Sequence, residues 1–244
     1  MIYFPKLGQY GRLGNCLFQL AATIGTAYKY NLNYRFPYWQ YMNFFNLPSY
    51  VWVASLNTDK YPIYNEPYFH YQEIPKIDNE MNIHGYFQSP KYWEHCKENI
   101  VTLLRPKNKF LDTLIDCTAI HVRRTDYLIH KDCYNILDKN YYNEAMNLLP
   151  SEKYIIFSDD ISWCKSIFIG NKFIFSEERD AFMDWKKMLC CKNFIIANSS
   201  YSWWAAYLNN NPEKTIIAPK NWFGPKLETT HDTKDLIPPK WIAI

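Results

Sequence analysis

Five short apolar runs recur through the second half of the chain, at residues 117–122, 154–157, 173–175, 194–197 and 215–218. Runs of this length between polar stretches predict strands buried in a sheet. The segments between them, roughly 138–149, 160–168, 178–191 and 199–210, have the patterning of helices, and Pro150 and Pro212 punctuate two helix exits. Strands alternating with helices predict right-handed βαβ units and a parallel sheet, hence an α/β fold.

The first half has a weaker rhythm. A strand is predicted over Ile2–Pro5, then a glycine-bearing loop from Gly8 to Asn15, a helix running to about Tyr30 and a strand near 33–36. Residues 38–80 are rich in Tyr, Pro and Asn and poorly periodic, which predicts irregular or short-helical structure. Ile83–Phe87 is then read as a strand and Lys91–Asn99 as a helix. A glycine loop between a strand and a helix lets backbone amides approach an anion or a sugar. Its spacing matches neither G-x-G-x-x-G nor a P-loop, so it specifies no nucleotide.

In parallel sheets ligands bind beyond the carboxyl ends of the strands. The residues at those positions are Arg123-Arg124-Thr125-Asp126, Ser158-Asp159-Asp160, Ser176-Glu177-Glu178 and Asn198-Ser199-Ser200. Ser and Asp are ordinary helix N-caps, and capping accounts for Ser176 and is open to Asp159. It does not account for two adjacent Arg. A guanidinium is always charged and its planar fork of donors fits phosphate oxygens, so the pair points to a phosphorylated ligand; the alternative is a surface pair with an Asp partner. Neighbouring residues on a strand face opposite sides, so one Arg reaches the phosphate and the other is free to pair with Asp126. His121 shares a face with Arg123 and is either a nucleotide contact or a packed strand-end His.

Composition narrows the classes. The 244 residues suffice for one large domain or two small ones, and 48% hydrophobic residues provide for a normal core. Aromatic residues reach 18%, with 21 Tyr and 9 Trp, side chains that suit sugar or base contacts as well as core packing. A net charge of +3 allows an anionic ligand but is far from the basic stripe of a nucleic-acid binder. The seven Cys are odd in number and form no C-x-x-C pair, which argues against a zinc cluster or disulfide framework and fits a reducing compartment. No apolar run approaches a membrane span and no signal-peptide core is present, so a soluble, cytoplasmic protein is expected.

Several segments together resemble the α-1,2-fucosyltransferases of glycosyltransferase family 11. Gly11-Arg12-Leu13-Gly14-Asn15 with Phe18-Gln19 resembles the family's G-x-L-G-N-x-x-F-Q motif, and Gly85-Tyr86-Phe87-Gln88-Ser89 its G-Y-[FW]-Q-S segment. His121-Val122-Arg123-Arg124-Thr125-Asp126 is similar to H-x-R-R-x-D, which other fucosyltransferases share. Phe157-Ser158-Asp159-Asp160 with Trp163, Asn198-Ser199-Ser200-Tyr201-Ser202-Trp203-Trp204-Ala205-Ala206, and Ile217-Ala218-Pro219-Lys220 with Trp222-Phe223 complete the set. Cys16 stands where the family usually has Gln.

The resemblance implies a GT-B-like fold, two Rossmann-like α/β lobes facing a central cleft. Residues 1–115 would form the acceptor-side lobe, 116–226 the donor lobe, and 227–244 a tail packing back on the lobes. It implies GDP-fucose as donor, inversion at the anomeric carbon, no required metal or other cofactor, and an oligosaccharide or glycan acceptor, a terminal β-galactoside above all. Arg123 and Asp126 are the expected catalytic residues, Arg123 for charge on the leaving phosphate and Asp126 either as general base or as a structural salt-bridge partner. Donor contacts are expected from His121, Arg123, Arg124, Ser158, Asp159, Asn198, Ser199 and Ser200, and cleft or acceptor contacts from Gly14, Asn15, Tyr86 and Gln88. Two other readings stay open: a fucosyltransferase of another linkage, α-1,6-like, and a non-catalytic carbohydrate-binding protein on the same scaffold.

Overall fold

The computed structural model describes residues 1–76, 80–107 and 115–244. The chain divides into two units: Met1–Lys107 with Asp232–Leu236, and Asn108–His231 with Ile237–Ile244. The division falls beside residues 108–114, which lie outside the described residues. The stretch 227–244, expected as a single tail, is shared between the two units.

Unit 1 is built on a parallel sheet of β1 (Ile2–Tyr3), β2 (Tyr34–Pro37), β3 (Trp52–Val53), β4 (Ile63–Asn65) and β5 (Met81–His84), in the order β3-β2-β1-β5-β4. Helix α1 (Leu13–Tyr30) is buried along nearly its whole length from Leu13 to Ala27 and ends at Asn31 in the left-handed conformation. The edge strands β3 and β4 fall in the stretch expected to be irregular; at two and three residues they are too short to show a period. Strand β5 ends earlier than expected because Phe87 takes a φ of +52°, which turns the chain out of the ladder. The helix expected at 91–99 begins only at Lys97, as α2 (Lys97–Leu104), after tighter 3₁₀ turns entered through Pro90, with the Ser89 hydroxyl accepting from the Lys91 amide.

Unit 2 carries a parallel sheet of β6 (Ile115–Val122), β7 (Tyr154–Ser158), β8 (Phe173–Phe175), β9 (Cys191–Ile195), β10 (Ile216–Ala218) and β11 (Ile242–Ala243), in the order β11-β10-β9-β6-β7-β8. The connecting helices are α3 (Thr125–Ile129), α4 (Lys139–Leu148), α5 (Ile161–Ile167), α6 (Ala181–Leu189) and α7 (Ser200–Leu208), followed by the short α8 (Pro225–Glu228). The predicted alternation is therefore present, with three differences. Strand β9 starts at Cys191, before the predicted run at 194, and includes the polar positions Lys192 and Asn193 that an apolar-run reading passes over; Asn193 uses its side chain to accept from the Thr215 amide. Helix α3 follows the Arg pair at once, and β11 adds a strand from the tail. Ile120, Val122, Ile156, Ile195, Ala197 and Ile217 form the centre of this unit's core, packed with Tyr142 and Cys164 from the helices.

Each sheet reverses its winding once. In unit 1 the chain moves outward from β1 through β2 and β3, then returns to place β5 on the other side of β1. In unit 2 it moves outward from β6 through β7 and β8, then places β9 on the other side of β6. Loops leaving two neighbouring strands at such a reversal diverge and open a crevice for ligands. The switch points therefore fall after β1 and β5 in one unit and after β6 and β9 in the other.

Candidate active site

At the switch point of unit 2, β6 pairs with β7 so that Val122 lies opposite Ser158, which sets Arg123 beside Asp159. One Arg123 amino group donates to Asp126 Oδ2 at 2.6 Å, and the other lies 3.0 Å from Asp159 Oδ2. Its guanidinium also sits 5.7 Å from the Tyr127 ring centre. The expectation that the second Arg pairs with Asp126 is thus corrected: Arg123 itself holds Asp126, because α3 winds Asp126 back over it one turn later. Arg124 turns the other way, with Nε 3.4 Å from Asp160 Oδ2 and its guanidinium 3.9 Å over the Trp163 ring. The two Arg face opposite ways although β6 itself ends at Val122 and Arg124 already stands at the N-cap of α3.

Asp159 holds this turn together. Its oxygens accept from the Arg124 amide at 2.9 Å, the Thr125 amide at 3.2 Å and the Thr125 hydroxyl at 2.5 Å, besides the ion pair with Arg123. Burial pushes its carboxyl up, but the Thr125 hydroxyl, Arg123 and the Arg124 amide outweigh it and the net direction is down. Asp160, not Asp159, caps α5 by accepting from the Trp163 amide at 3.0 Å, and the Ser158 hydroxyl accepts from the Asp160 amide at 2.9 Å. Ser176 caps no helix: it donates to Asp184, and Asp180 caps α6 instead.

His121 is buried, with Nδ1 2.8 Å from the Ser202 hydroxyl. Burial first, and then Arg123, lowers its pKa to about 3, so the ring is neutral. Of the two readings left open by the sequence, the packed His is the one its burial matches. Asn198 is also fixed from within: its side-chain amide donates to the carbonyls of Asn135 and Trp222, and its own carbonyl accepts from the Tyr127 hydroxyl at 2.8 Å. Tyr127 thereby ties the loop after β6 to the loop after β9. Ser199 is the N-cap residue of α7 and its side chain makes no capping bond, while Ser200 opens the helix. Trp203 and Trp204 are fully buried in α7 and belong to the core.

The switch point of unit 1 unites two motifs that the sequence separates widely. Gln88 donates to Asn15 Oδ1 at 3.0 Å, and Gln19 donates to the Tyr10 carbonyl at 2.9 Å and the Gly85 carbonyl at 3.3 Å. Gly14 is buried in the first turn of α1. Gly11 has a φ of +92°, and a Cβ there would meet the Asn15 side chain, so the loop needs glycine for both conformation and space. Tyr10 and Tyr86 stack with ring centres 4.4 Å apart, and His84 lies 5.0 Å from Tyr10. Gly14, Asn15, Tyr86 and Gln88 are thus gathered in one place. Gln19, the last residue of the first motif, joins them, and Glu66 and His84 share the place without having been singled out; Glu66 lies in the motif-free stretch, where no local pattern marks it.

The model of the family described as glycosyl transferase family 11 matches residues 26–244. The chain belongs to that family. The match begins within α1, after the Gly11–Gln19 motif. Among curated relatives, an alpha-1,2-colitosyltransferase of Escherichia coli is 32% identical over 180 residues, covering 66% of this chain and 61% of that protein. The O-antigen biosynthesis glycosyltransferase WbnK of Escherichia coli is 28% identical over 172 residues, covering 61% of this chain and 57% of that protein. The aligned stretch therefore spans about three-fifths of the length of either relative. Among solved structures, POFUT1 in complex with GDP covers 88% of this chain and 97% of its own at 11% identity and a TM-score of 0.50. That likeness concerns the fold, and with the two parallel sheets it agrees with the GT-B-like α/β architecture expected from the sequence. No helix among the described residues is long and apolar enough to cross a membrane.

Proposed function

We propose that this family 11 chain is an inverting α-1,2-fucosyltransferase that moves fucose from GDP-fucose to a hydroxyl of an acceptor glycan, a terminal β-galactoside in the first instance. The observation that carries the reading is the Arg123–Arg124 pair at the carboxyl end of β6, at the switch point of unit 2, held by Asp126, Asp159 and Asp160. Breaking the bond between sugar and diphosphate leaves negative charge on the phosphate. Preorganised cationic donors stabilise such charge without moving at the moment of reaction. Arg123 takes that role, and Asp126 and Asp159 fix its two amino groups. Ser199 and Ser200, beside the first amides of α7, supply further donors for the nucleotide. Because the electrostatic task falls to Arg, transfer proceeds without a divalent cation. Unit 1 takes the acceptor through the polar and aromatic residues around Asn15, Tyr86 and Gln88.

A second donor reading is supported by the relative named for colitose. Purified protein assayed with GDP-fucose and with the corresponding colitose nucleotide, against β-galactoside and N-acetylhexosamine acceptors with NMR of the product, tests both. An α-1,2 product from GDP-fucose, unchanged by EDTA, is expected. Transfer from the colitose donor alone replaces the fucose reading, and a β product or loss of turnover with chelator overturns the mechanism.

A further inference from the structure

Glu66 follows β4 and aims its carboxylate across to the loop after β5. Oε2 accepts from the Tyr86 amide at 2.7 Å and Oε1 from the Phe87 amide at 2.9 Å, so one carboxylate holds two successive backbone groups. Its own amide donates to the His84 carbonyl at 2.8 Å, continuing the β4–β5 ladder to the end of both strands. The turn it holds contains Phe87 at a φ of +52°, a conformation that costs a non-glycine residue energy and persists only where the surroundings impose it. Gly85 leaves no slack: a Cβ there would stand 2.6 Å from Glu66 Oε2 and 3.0 Å from the Phe87 ring. Beyond this turn lies the half-buried Tyr86 ring, stacked on Tyr10 at an interplanar angle of 22°. The two loops are joined underneath by Gln19, a fully buried side chain whose Oε1 has no partner among the described residues. His84 Nε2, beside Tyr10, is likewise without a partner among them.

Aromatic faces with adjacent polar atoms suit a neutral sugar, whose C–H face packs on a ring while its hydroxyls find donors and acceptors. We propose that Glu66 is the positioning residue of a sugar-binding platform formed by Tyr10 and Tyr86, setting the Tyr86–Phe87 turn so that unit 1 takes a neutral glycan acceptor. This rests on the reading that unit 1 is the acceptor side.

The clamp is also pH-sensitive. Among the described residues, Tyr64 on β4 and Tyr92 from the turn after Ser89 are the ionisable groups that feel the carboxylate's charge, with Tyr71 beside both; His84 on β5, whose carbonyl accepts from the Glu66 amide, is itself influenced by Lys6. Burial raises the Glu66 pKa to about 7 against the pull of the two amides. Protonation turns one accepting oxygen into a hydroxyl and releases one amide.

The test measures lactose binding by saturation-transfer NMR, lactose KM with GDP-fucose across pH, and GDP affinity by calorimetry, on wild type, Glu66→Gln, Tyr86→Leu and the double variant. Tyr86→Leu removes the ring without touching the clamped amides, so it reports even if Glu66→Gln folds poorly. Each single variant is expected to weaken lactose by about tenfold, Glu66→Gln through a lost hydrogen bond to a charged group and Tyr86→Leu through the lost aromatic face. The double variant should lose no more than the weaker single one, and GDP affinity should hold. Wild-type lactose KM should rise as pH falls through about 7, and the Glu66→Gln profile should be flat. A folded Glu66→Gln protein with wild-type lactose KM and pH profile overturns the proposal, as does a fall in kcat alone, which would make Glu66 a chemical group. Wild type that binds GDP but not lactose overturns the platform. Lactose binding without GDP binding or turnover supports the platform and overturns the transferase reading.

Discussion

Between β1 and β5 the switch point carries stacked Tyr rings, side-chain amides and the Glu66 carboxylate; between β6 and β9 it carries two guanidiniums bound by Asp126, Asp159 and Asp160. Both sheets are parallel and both reverse their winding beside the first strand. The backbone topology therefore supplies a crevice twice, and the side chains decide what each one suits. Rings and amides recognise a neutral polyol; fixed cations recognise a phosphate. The carboxylates differ in the same sense. Asp159 is paired with cation and hydroxyl and shifts down, whereas Glu66, held by amides alone, shifts up.

The largest effect should come from the charged switch point. Arg123→Lys keeps the charge and loses the planar fork that spans Asp126 and Asp159, and it should lower kcat by at least about a hundredfold, the scale of one lost oxyanion donor. Steady-state kinetics with circular dichroism to confirm folding checks it; a folded variant with near-normal kcat moves the role to Arg124 or to the amides around Ser199. Asp159→Asn comes next, with a loss of about tenfold or more, because it removes an ion pair and loosens two amides of the turn that carries Arg123. Relative to a variant in which the same site is neutral, the two carboxylates should respond to pH with opposite signs. Asp159 has a lowered folded pKa, so its contribution to stability is present above the unfolded carboxylate value and is lost as pH falls through the folded one. Glu66 has a raised folded pKa, so its contribution is present below the unfolded value of 4.5 and is lost as pH rises to about 7. Thermal melting against pH for wild type, Asp159→Asn and Glu66→Gln measures both; parallel slopes would abolish the contrast. The smallest effect expected is that of Trp163→Leu, which removes the ring under Arg124 at a cost of about 0.5–2 kcal/mol. It should lower Tm by a few degrees and change kcat less than Arg123→Lys does.

The β–α rhythm of unit 2 could be read from residue order because buried parallel strands are continuous apolar runs, a strictly local signal. The Arg pair was equally legible, since two guanidiniums at a strand end have no packing explanation. Family membership and the residues around Asn15 and Gln88 were visible as motifs. What residue order left open was which partner each charge takes. Arg123 and Asp126 stand three residues apart whatever the fold, yet only the start of α3 directly after Arg124 brings them to 2.6 Å. The bond between Arg123 and Asp159 needs the β6–β7 register, and that register comes from core packing. Glu66 shows the limit most clearly. Nothing within its own stretch of Tyr, Pro and Asn marks it, because its meaning comes from two amides some twenty residues onward. Local periodicity and motif chemistry thus determined most elements of unit 2 and the family. Long-range strand pairing decided which carboxylate meets a cation and which meets only backbone, since that depends on where other segments of the chain come to lie.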